Sequence, residues 1–183
     1  MYTIGYIPTV AGHYQLSVLL HGLHVADSPY SVNVLPAASA ASCSHIVGGM
    51  PSCIAGVPTR QLVQMMDTFG NKRQQGGDRL QVLVGDGSVE ASVTDRNDGT
   101  YEVSFVPTKS GLHDLCVSLD GAKIRGSPYG FKVEPTEFSP LQSALSPATQ
   151  QSDAAGTLVT MTLIVSDSFG NHRNPGNPVP VRK

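Results

Sequence analysis

Apolar and polar residues alternate along much of this 183-residue chain. Glycine, proline, asparagine and aspartate interrupt the alternation about every ten residues. Because the side chains of a β-strand point alternately to opposite faces, this pattern indicates strands that each bury one face. The chain shows almost no helical periodicity. The pattern therefore predicts an all-β fold made of short strands joined by tight turns.

The segments with clear alternation lie between residues 60 and 133. They are residues 60–66, 79–84, 88–95, 100–106, 111–119 and 129–133. About seven strands in roughly one hundred residues fit an immunoglobulin-like β-sandwich, in which two antiparallel sheets pack face to face. The chain has no tryptophan, and its cysteines are not paired as in an antibody domain, so the antibody type is excluded.

Alternation also assigns a core-facing side to each strand. In residues 60–66 this side is expected to carry Leu62 and Met66. The other core-facing sets are Leu80, Val82 and Val84; Val89, Ala91 and Val93; Tyr101, Val103 and Phe105; and Leu115, Val117 and Leu119. Residues 67–71 and 95–99 predict turns, the second with Gly99 at a position of positive φ.

The chain also repeats itself with a period near one hundred residues. Pro8, Gly12, Gly22, Ser28, Pro29, Tyr30, Val34 and Pro36 each recur 99 positions later. A second block, residues 67–73, returns as residues 167–173. Repeats of about 20–50 residues suggest solenoids, whereas a period near one hundred is the size of a whole β-sandwich. We therefore predict tandem immunoglobulin-like units.

This period divides the chain into one complete and two partial units. We expect a complete sandwich at residues 37–135, the C-terminal half of a preceding unit at residues 1–36, and the truncated N-terminal part of a further unit at residues 136–183. About one hundred residues suffice to bury a core, so the central unit is expected to fold independently. The small, polar residues 37–44 and the related residues 139–153 are expected to act as modest hinges.

Composition excludes some classes of function. The formal net charge is −2, with 12 Lys and Arg against 14 Asp and Glu, and no basic cluster of the kind that binds nucleic acid is present. No apolar run approaches the roughly 18 residues of a membrane span. Residues 1–11 lack the basic start and apolar stretch of a signal peptide.

The cysteines are few and odd in number: Cys43, Cys53 and Cys116. A disulfide framework is usually denser and even. The chain also has no Asn-x-Ser/Thr glycosylation sequence. Both observations favour a reducing environment inside the cell, whereas a bridge between Cys43 and Cys53 would favour the outside.

Two clusters could in principle carry chemistry, but each has a simpler interpretation. His113, Asp114 and Cys116 could suggest a Cys–His nucleophile, yet neighbouring residues of a strand point to opposite faces, and a structural role for His113 is expected. His21 and His24 flank a turn, and a zinc site would need two further ligands. Residues 95–99 are too short for a calcium loop and fit a turn. We therefore predict no catalytic or metal-binding residues.

A set of spaced residues in the central unit resembles a known module. The set is Asp98, Gly99, Thr100, Tyr101, Phe105, Val106, Pro107, Gly111, Leu115, Cys116, Val117, Gly121, Gly126, Ser127, Pro128 and Val133. The same signature recurs in residues 2–34, with Asp27 in place of Gly126. In combination it resembles the filamin (ABP280) repeat, the immunoglobulin-like module of actin cross-linking proteins, and the resemblance covers nearly the whole chain.

The resemblance implies a binding surface at one edge of the sandwich. Partners of filamin repeats are expected in a groove between the third and fourth strands, which here are residues 79–84 and 88–95. The implied peptide-binding residues are Arg79, Leu80, Gln81, Val82, Leu83, Val84, Ala91 and Val93. An edge strand has unpaired N–H and C=O groups, so an extended peptide can add to it as a further strand. Gln81 and Leu83 are expected to face outward, although a single exposed leucine is common on any surface.

Taken together, the repeats and the lack of a catalytic constellation predict a non-enzymatic scaffold without cofactors. The resemblance implies that it binds extended peptides and belongs, through its parent protein, to the actin cytoskeleton in the cytoplasm. No calponin-homology domain is visible, so no residue is assigned to direct actin contact. Two alternatives remain open: a cell-surface or gamete adhesion array, and the non-catalytic repeat region of a ubiquitin ligase.

Overall fold

The computed structural model describes residues 1–146, 155–156 and 161–173. These residues form fifteen β-strands and one short 3-10 helix, Pro140–Gln142. The strands are β1 (Gly12–Leu16), β2 (Leu19–Leu20), β3 (Leu23–His24), β4 (Tyr30–Val34), β5 (His45–Ile46), β6 (Cys53–Ile54), β7 (Thr59–Gln64), β8 (Leu80–Val84), β9 (Ala91–Asp95), β10 (Thr100–Phe105), β11 (Gly111–Leu119), β12 (Ala122–Lys123), β13 (Tyr129–Glu134), β14 (Ala144–Ser146) and β15 (Thr162–Ile164).

Strands β5 to β13 form two sheets around one core. The first sheet has the order β5–β7–β10–β9, and all its pairs are antiparallel. In the second sheet, Leu115 of β11 pairs with Val84 of β8 and with Tyr129 of β13. Strand β8 therefore lies on one side of β11, with β12 and β13 on the other, and β6 pairs parallel to β13. The predicted all-β, immunoglobulin-like fold class is confirmed.

Most of the predicted core residues are buried between these sheets. Tyr101, Val103 and Phe105 of β10 are at most 2% exposed, and the three predicted residues of β11 at most 5%. The rings of Phe105 and Phe131 lie 5.5 Å apart, one from each sheet. Strict alternation was sufficient to identify the inward faces of these two strands.

The predicted core face of β7 was wrong. Val63 and Met65 are completely buried, whereas Leu62 and Met66 are only partly buried. Two other inward positions, Thr59 and Gln61, are polar, and the Gln61 side chain donates a hydrogen bond to the carbonyl of Gly49. Polar residues occupy part of the buried face of this strand, and apolar residues occupy part of the opposite face. The alternation of apolar and polar residues therefore predicted the wrong face as buried.

The two strands of the expected groove are shorter than predicted. Strand β8 begins at Leu80, so Arg79 lies just before it, and β9 begins at Ala91. Val89, predicted inside the second strand, instead forms an isolated bridge to Val84. The inward positions Leu80 and Val82 are partly buried, and Val84 is 1% exposed, as the alternation predicted.

The predicted turns are present. The Asp67 carboxylate accepts hydrogen bonds from the N–H groups of Phe69 (2.9 Å) and Asn71 (2.8 Å), and these bonds close the turn after β7. Gly99 has φ +82° in the turn between β9 and β10, so the predicted positive φ is confirmed.

Residues outside the central sandwich repeat its local structure. Strands β1 and β4 pair with Gly12 opposite Val34, and β11 and β13 pair with Gly111 opposite Val133. Each of these positions in the first pair lies 99 residues before its counterpart in the second. Strand β14 pairs with β15.

The segment predicted as a hinge, residues 37–44, is hydrogen-bonded to the sandwich. The Ala40 N–H donates to Met66 O at 2.7 Å, and the Ser44 hydroxyl donates to Ala40 O at 2.8 Å. The second predicted hinge, residues 139–153, lies partly outside the described residues. Its described part begins in the same way, since the Ser139 N–H donates to Ser166 O at 2.7 Å.

Candidate functional site

The two strands of the expected groove are the edges of different sheets. Among the residues that the structure describes, β8 pairs along its length with β11 only, and β9 with β10 only. The strands follow each other in the chain and pack side by side at one edge of the sandwich. The space between them, flanked on each side by a strand edge, is where the resemblance places the groove.

The free edge of β8 exposes the backbone groups of Leu80 and Val82. Gly85, the residue after β8, donates its N–H to Asp114 O of β11. The carbonyl oxygen of Val84 points away from β11 and accepts the N–H of Gly87. In an antiparallel pair, alternate residues direct their hydrogen-bonding groups to the same side. Leu80 and Val82 therefore point their N–H and C=O groups, like Val84, away from β11. Because Val84 bridges to Val89, the open part of this edge belongs to Leu80 and Val82.

Half-buried apolar side chains line the groove. Leu80, Val82 and Ala91 pack against the core but are not closed over. Val93 remains 38% exposed although it pairs with the completely buried Val103. These side chains would lose further contact with water if another strand covered the edge, which favours association there.

The outward face of β8 carries the two residues that the sequence predicted. Gln81 is exposed and Leu83 is 60% exposed. Arg79 is also exposed, next to the strand start. Of the residues expected to bind a peptide, Leu80 to Val84 lie on β8 and Ala91 and Val93 on β9, and Val84 is buried and bridged to Val89.

A backbone bridge and a side-chain contact mark the two ends of the segment between β8 and β9. The bridge between Val84 and Val89 closes one end. At the other end, the Asp95 carboxylate accepts the N–H groups of Gly77 and Asn97, each at 2.8 Å. The open segment from Leu80 to Leu83 is about 13 Å long at roughly 3.3 Å per residue, which is enough for a short extended peptide.

His113, one of the residues considered for catalysis, has a structural role. A ring nitrogen of His113 lies 2.8 Å from Lys109 O, and the ring packs against Phe131. Tyr14, its counterpart 99 residues earlier, donates a hydrogen bond to Val10 O at 3.0 Å. The expected backbone-binding role at this position is therefore seen in both copies.

The residues considered for metal binding are engaged locally. His24 Nδ1 lies 2.8 Å from the Ser28 hydroxyl. Asp98 accepts hydrogen bonds from the hydroxyl and N–H of Thr100, which lower the pKa of Asp98 and fix the turn. Within the part of the chain that the structure describes, no group of three or more His, Cys, Asp or Glu could hold a metal ion.

Two further features concern the cysteines and the helices. Cys43, Cys53 and Cys116 are all unpaired thiols, and Cys53 is buried. In the described ranges, no helix is long and apolar enough to cross a membrane.

The two sheets and their shared core define an immunoglobulin-like β-sandwich. The sequence profile of the filamin/ABP280 repeat matches residues 38–130, and the chain belongs to this family. Repeats of this family mediate protein–protein interaction, and this membership supports a scaffold or interaction role.

Individual relatives extend this result. Filamin-C of Rattus norvegicus is 30% identical over 139 residues, which is 74% of this chain and 5% of that protein. The E3 ubiquitin-protein ligase TRIM45 of Bos taurus is 34% identical over 81 residues, 42% of this chain and 14% of that protein. The chain thus spans only a small part of these relatives.

A solved adhesin structure has a similar fold. FdeC of Escherichia coli is 20% identical with a TM-score of 0.58, and the match covers 87% of this chain and 52% of that chain. At this identity the likeness concerns the fold alone.

Proposed function

We propose that the chain is a segment of a tandem array of filamin-type repeats. In this division, residues 37–135 are a complete repeat, residues 1–36 correspond to the second half of a repeat, and residues 136–183 to the first part of another. The matching register of β1–β4 and β11–β13 supports the division.

Burial supports the same division. Leu16, Val32 and Val34 occupy the positions of Leu115, Phe131 and Val133, which are at most 5% exposed in the central sandwich. The three earlier residues are only partly buried, because no second sheet covers them within residues 1–36. They therefore have the character of core residues from half of a sandwich.

The array functions as a non-enzymatic scaffold whose central repeat binds an extended peptide at β8. The observation that carries this proposal is the free backbone edge of Leu80 and Val82 beside the half-buried side chains of Val93 and Ala91. Backbone hydrogen bonds would supply affinity, and alternate peptide side chains entering the groove would supply specificity. An apolar residue at every second position of the peptide fits this lining.

The match to Filamin-C supports a place in the actin cytoskeleton of the cytoplasm, reached through the parent protein. A second candidate is favoured by the match to TRIM45: the chain would then be the non-catalytic repeat region of a ubiquitin ligase. Both candidates use the same groove for partners, and the neighbouring domains of the parent protein distinguish them.

Selection of binding peptides tests the groove directly. Extended peptides from a random library are selected on the purified chain and retested with Leu83→Glu, which places a charge beside the edge. Leu112→Glu is the matched control, since Leu112 is 86% exposed on β11, away from the groove. We expect Leu83→Glu to weaken binding at least tenfold and Leu112→Glu to leave it unchanged.

Equal loss of binding in both variants, or no selected peptide from a folded chain, would contradict the groove proposal. Co-sedimentation with F-actin is a separate measurement. We expect no sedimentation of this chain with F-actin, because the proposed link to actin runs through other parts of the parent protein.

A further inference from the structure

The turn after β7 makes contacts that its own sandwich does not need. The Asn71 side chain donates from Nδ2 to Thr9 O at 2.9 Å and accepts the Ala11 N–H on Oδ1 at 2.9 Å. Thr9 and Ala11 lie immediately before β1, about sixty residues earlier in the chain. The turn is thus bound to the backbone of the preceding unit.

The second copy of the turn makes the same two bonds. Asn171 Nδ2 donates to Thr108 O at 2.8 Å, and Asn171 Oδ1 accepts the Ser110 N–H at 2.8 Å. Thr108 and Ser110 lie immediately before β11, 99 positions after Thr9 and Ala11. One contact geometry therefore occurs at both junctions of the chain.

A buried aspartate orients each asparagine. Asp67 is completely buried, and its Oδ2 accepts hydrogen bonds from Asn71 Nδ2 at 2.8 Å and from the Ala37 N–H at 2.9 Å. These contacts fix the orientation of the Asn71 side-chain amide, because its nitrogen faces two acceptors, Asp67 Oδ2 and Thr9 O. The Asp67 carboxylate thus binds both Asn71 and Ala37, and Ala37 is the first residue after the preceding unit.

Asp167 repeats this arrangement. It is completely buried and accepts from Asn171 Nδ2 at 2.8 Å and from the Thr136 N–H at 3.0 Å. Thr136 lies 99 positions after Ala37. Both asparagines are therefore held in the same orientation by the same pair of partners.

An apolar contact adds to the second junction. The ring of Phe169 lies against Gly56 of the central sandwich, so closely that a Cβ on Gly56 would come within 2.5 Å of the ring. Gly56 N–H in turn donates to Pro107 O, next to the segment that Asn171 binds. The docking surface on the central unit is therefore the end that carries Gly56, Thr108 and Ser110.

We propose that the turn at residues 67–71, and its copy at 167–171, is a docking element that binds the loop before the corresponding strand of the preceding unit and holds neighbouring units in one fixed orientation. Its partner is the backbone of residues 9–11 or 108–110 in the same chain. The array is then stiff at these junctions, and bending occurs elsewhere. This inference rests on the proposed division into repeats and is independent of peptide binding at β8.

A turn that only capped its own sandwich would use the Asn71 side chain to bind Asp67, but it would not need the bonds to Thr9 O and the Ala11 N–H. Because Asn71→Ala removes the local bond as well, the readout that separates the two interpretations lies in the neighbouring unit. Amide hydrogen exchange at Ala11 and Ser110 reports on each junction by itself.

The experiment uses the ¹⁵N-labelled chain and the variants Asn71→Ala and Asn171→Ala. We expect Asn71→Ala to speed exchange of the Ala11 amide about tenfold, the loss of one hydrogen bond of about 1.4 kcal/mol, and to leave Ser110 unchanged. Asn171→Ala should do the reverse, so each variant controls for the other. Asn97→Gly, in an exposed turn with φ +60°, should change neither amide.

Residual dipolar couplings measure orientation in the same samples. In the unmodified chain, one alignment tensor should fit both the β1–β4 sheet and the central sandwich, whereas Asn71→Ala should require two. If Asn71→Ala disturbs the central core, as judged by the amides of Val103 and Leu115, the Ser110 amide in Asn171→Ala serves instead, because Asn171 lies outside the central sandwich.

Three results would overturn the proposal. The first is an unmodified chain that already needs two tensors. The second is an Ala11 amide that exchanges as fast as an unbonded one. The third is a folded Asn71→Ala or Asn171→Ala variant in which neither exchange nor orientation changes. If orientation is fixed but the β1–β4 sheet does not match β11–β13 in its own couplings, the division into repeats fails instead.

Discussion

At the scale of single residues, the buried carboxylate of Asp67 holds the turn after β7 by accepting four hydrogen bonds. Burial alone would raise the pKa of Asp67, but hydrogen bonds from the side chain and N–H of Asn71 and from the N–H groups of Ala37 and Phe69 outweigh it and lower the pKa. The pKa of Asp167 is lowered in the same way. A charged carboxylate that accepts four hydrogen bonds is thus stable in a site without solvent.

Replacement of Asp67 by asparagine should destabilise the central sandwich. An asparagine offers one acceptor atom where the carboxylate offers two, and its NH₂ group would face the donors of Asn71 and Ala37. We expect the free energy of unfolding, measured with urea, to fall by about 1.5–3 kcal/mol at neutral pH. Asp120→Asn is the control, because Asp120 is an exposed turn residue with φ +48°, which asparagine tolerates.

The stabilities of the unmodified protein and of the Asp67→Asn variant should depend differently on pH. Because the pKa of Asp67 is lower in the folded than in the unfolded state, its contribution is complete above the ordinary aspartate pKa of about 3.9 and is lost as the pH falls through the folded value. The difference in stability between the unmodified and Asp67→Asn proteins should therefore narrow below about pH 4. A difference that stayed constant down to pH 2 would show that the carboxylate charge is not what matters.

For Tyr101, the expected loss of stability occurs at high pH and not at low pH. Burial, with the nearby Asp78 and Asp95 carboxylates, raises the pKa of Tyr101 to about 12, while its oxygen accepts the Asp78 N–H at 2.7 Å. The unfolded tyrosine loses its proton near pH 10, so this part of the stability is complete below pH 10 and is lost as the pH rises towards 12. Tyr101→Phe should be less stable by about 1–3 kcal/mol at neutral pH, because the Asp78 N–H loses its partner.

Urea unfolding from pH 9 to 11.5 checks the sign. The stability of Tyr101→Phe should fall less steeply with pH than that of the unmodified protein. Identical slopes would mean that Tyr101 ionises as easily in the folded as in the unfolded chain.

At the scale of elements, the sequence predicted strands where the alternation is strict. Strand β10 alternates without exception, residues 115–119 of β11 alternate between buried and partly buried positions, and the core faces of both strands were predicted correctly. Strand β7 has buried polar residues at Gln61 and Gln64, and the pattern gave the wrong face. Strands β5 and β6 have two residues each, too few to produce any period.

Only part of the candidate site could be predicted from the sequence. The edge position of β8, with Leu83 outward, followed from the resemblance and the alternation. The free N–H and C=O groups of Leu80 and Val82 depend on which backbone groups pair with β11, and a side-chain pattern carries no information on that. The junction contacts of Asn71 were missed for another reason: the turn was duplicated in the sequence, but a turn motif alone does not reveal its partner.

The hairpin between β9 and β10 provides an element-level prediction. A Cβ at Gly99 would overlap the carbonyl oxygen of Arg73, whereas nothing lies within 4 Å of a Cβ at Gly121, and both glycines have φ +82°. Gly121→Ala should cost only the strain of positive φ, roughly 1–2 kcal/mol. Gly99→Ala should cost a further 1–3 kcal/mol, roughly, because the chain must shift.

Thermal or urea unfolding of the two variants measures this difference. Equal costs would show that the loop carrying Arg73 moves aside without loss. A larger cost for Gly121→Ala would contradict the packing described for this hairpin.

At the scale of the whole molecule, the central sandwich contains the main core and should fold alone. A fragment of residues 37–135 should unfold in one cooperative transition and remain monomeric in light scattering. The full chain should self-associate more readily, because Leu16, Val32 and Val34 form an apolar face that no second sheet covers within residues 1–36. A fragment without a cooperative transition would mean that the flanking units contribute to this core.

The central claim is that the edge of β8 binds a partner strand through its backbone. Amide hydrogen exchange of the chain, with and without a selected extended peptide, tests it most directly. The account predicts that the amides of Leu80 and Val82 become protected in the complex while those of Gln81 and Leu83, already directed towards β11, change little. A peptide that binds with unchanged exchange at Leu80 and Val82, or that protects a different edge, would contradict the claim.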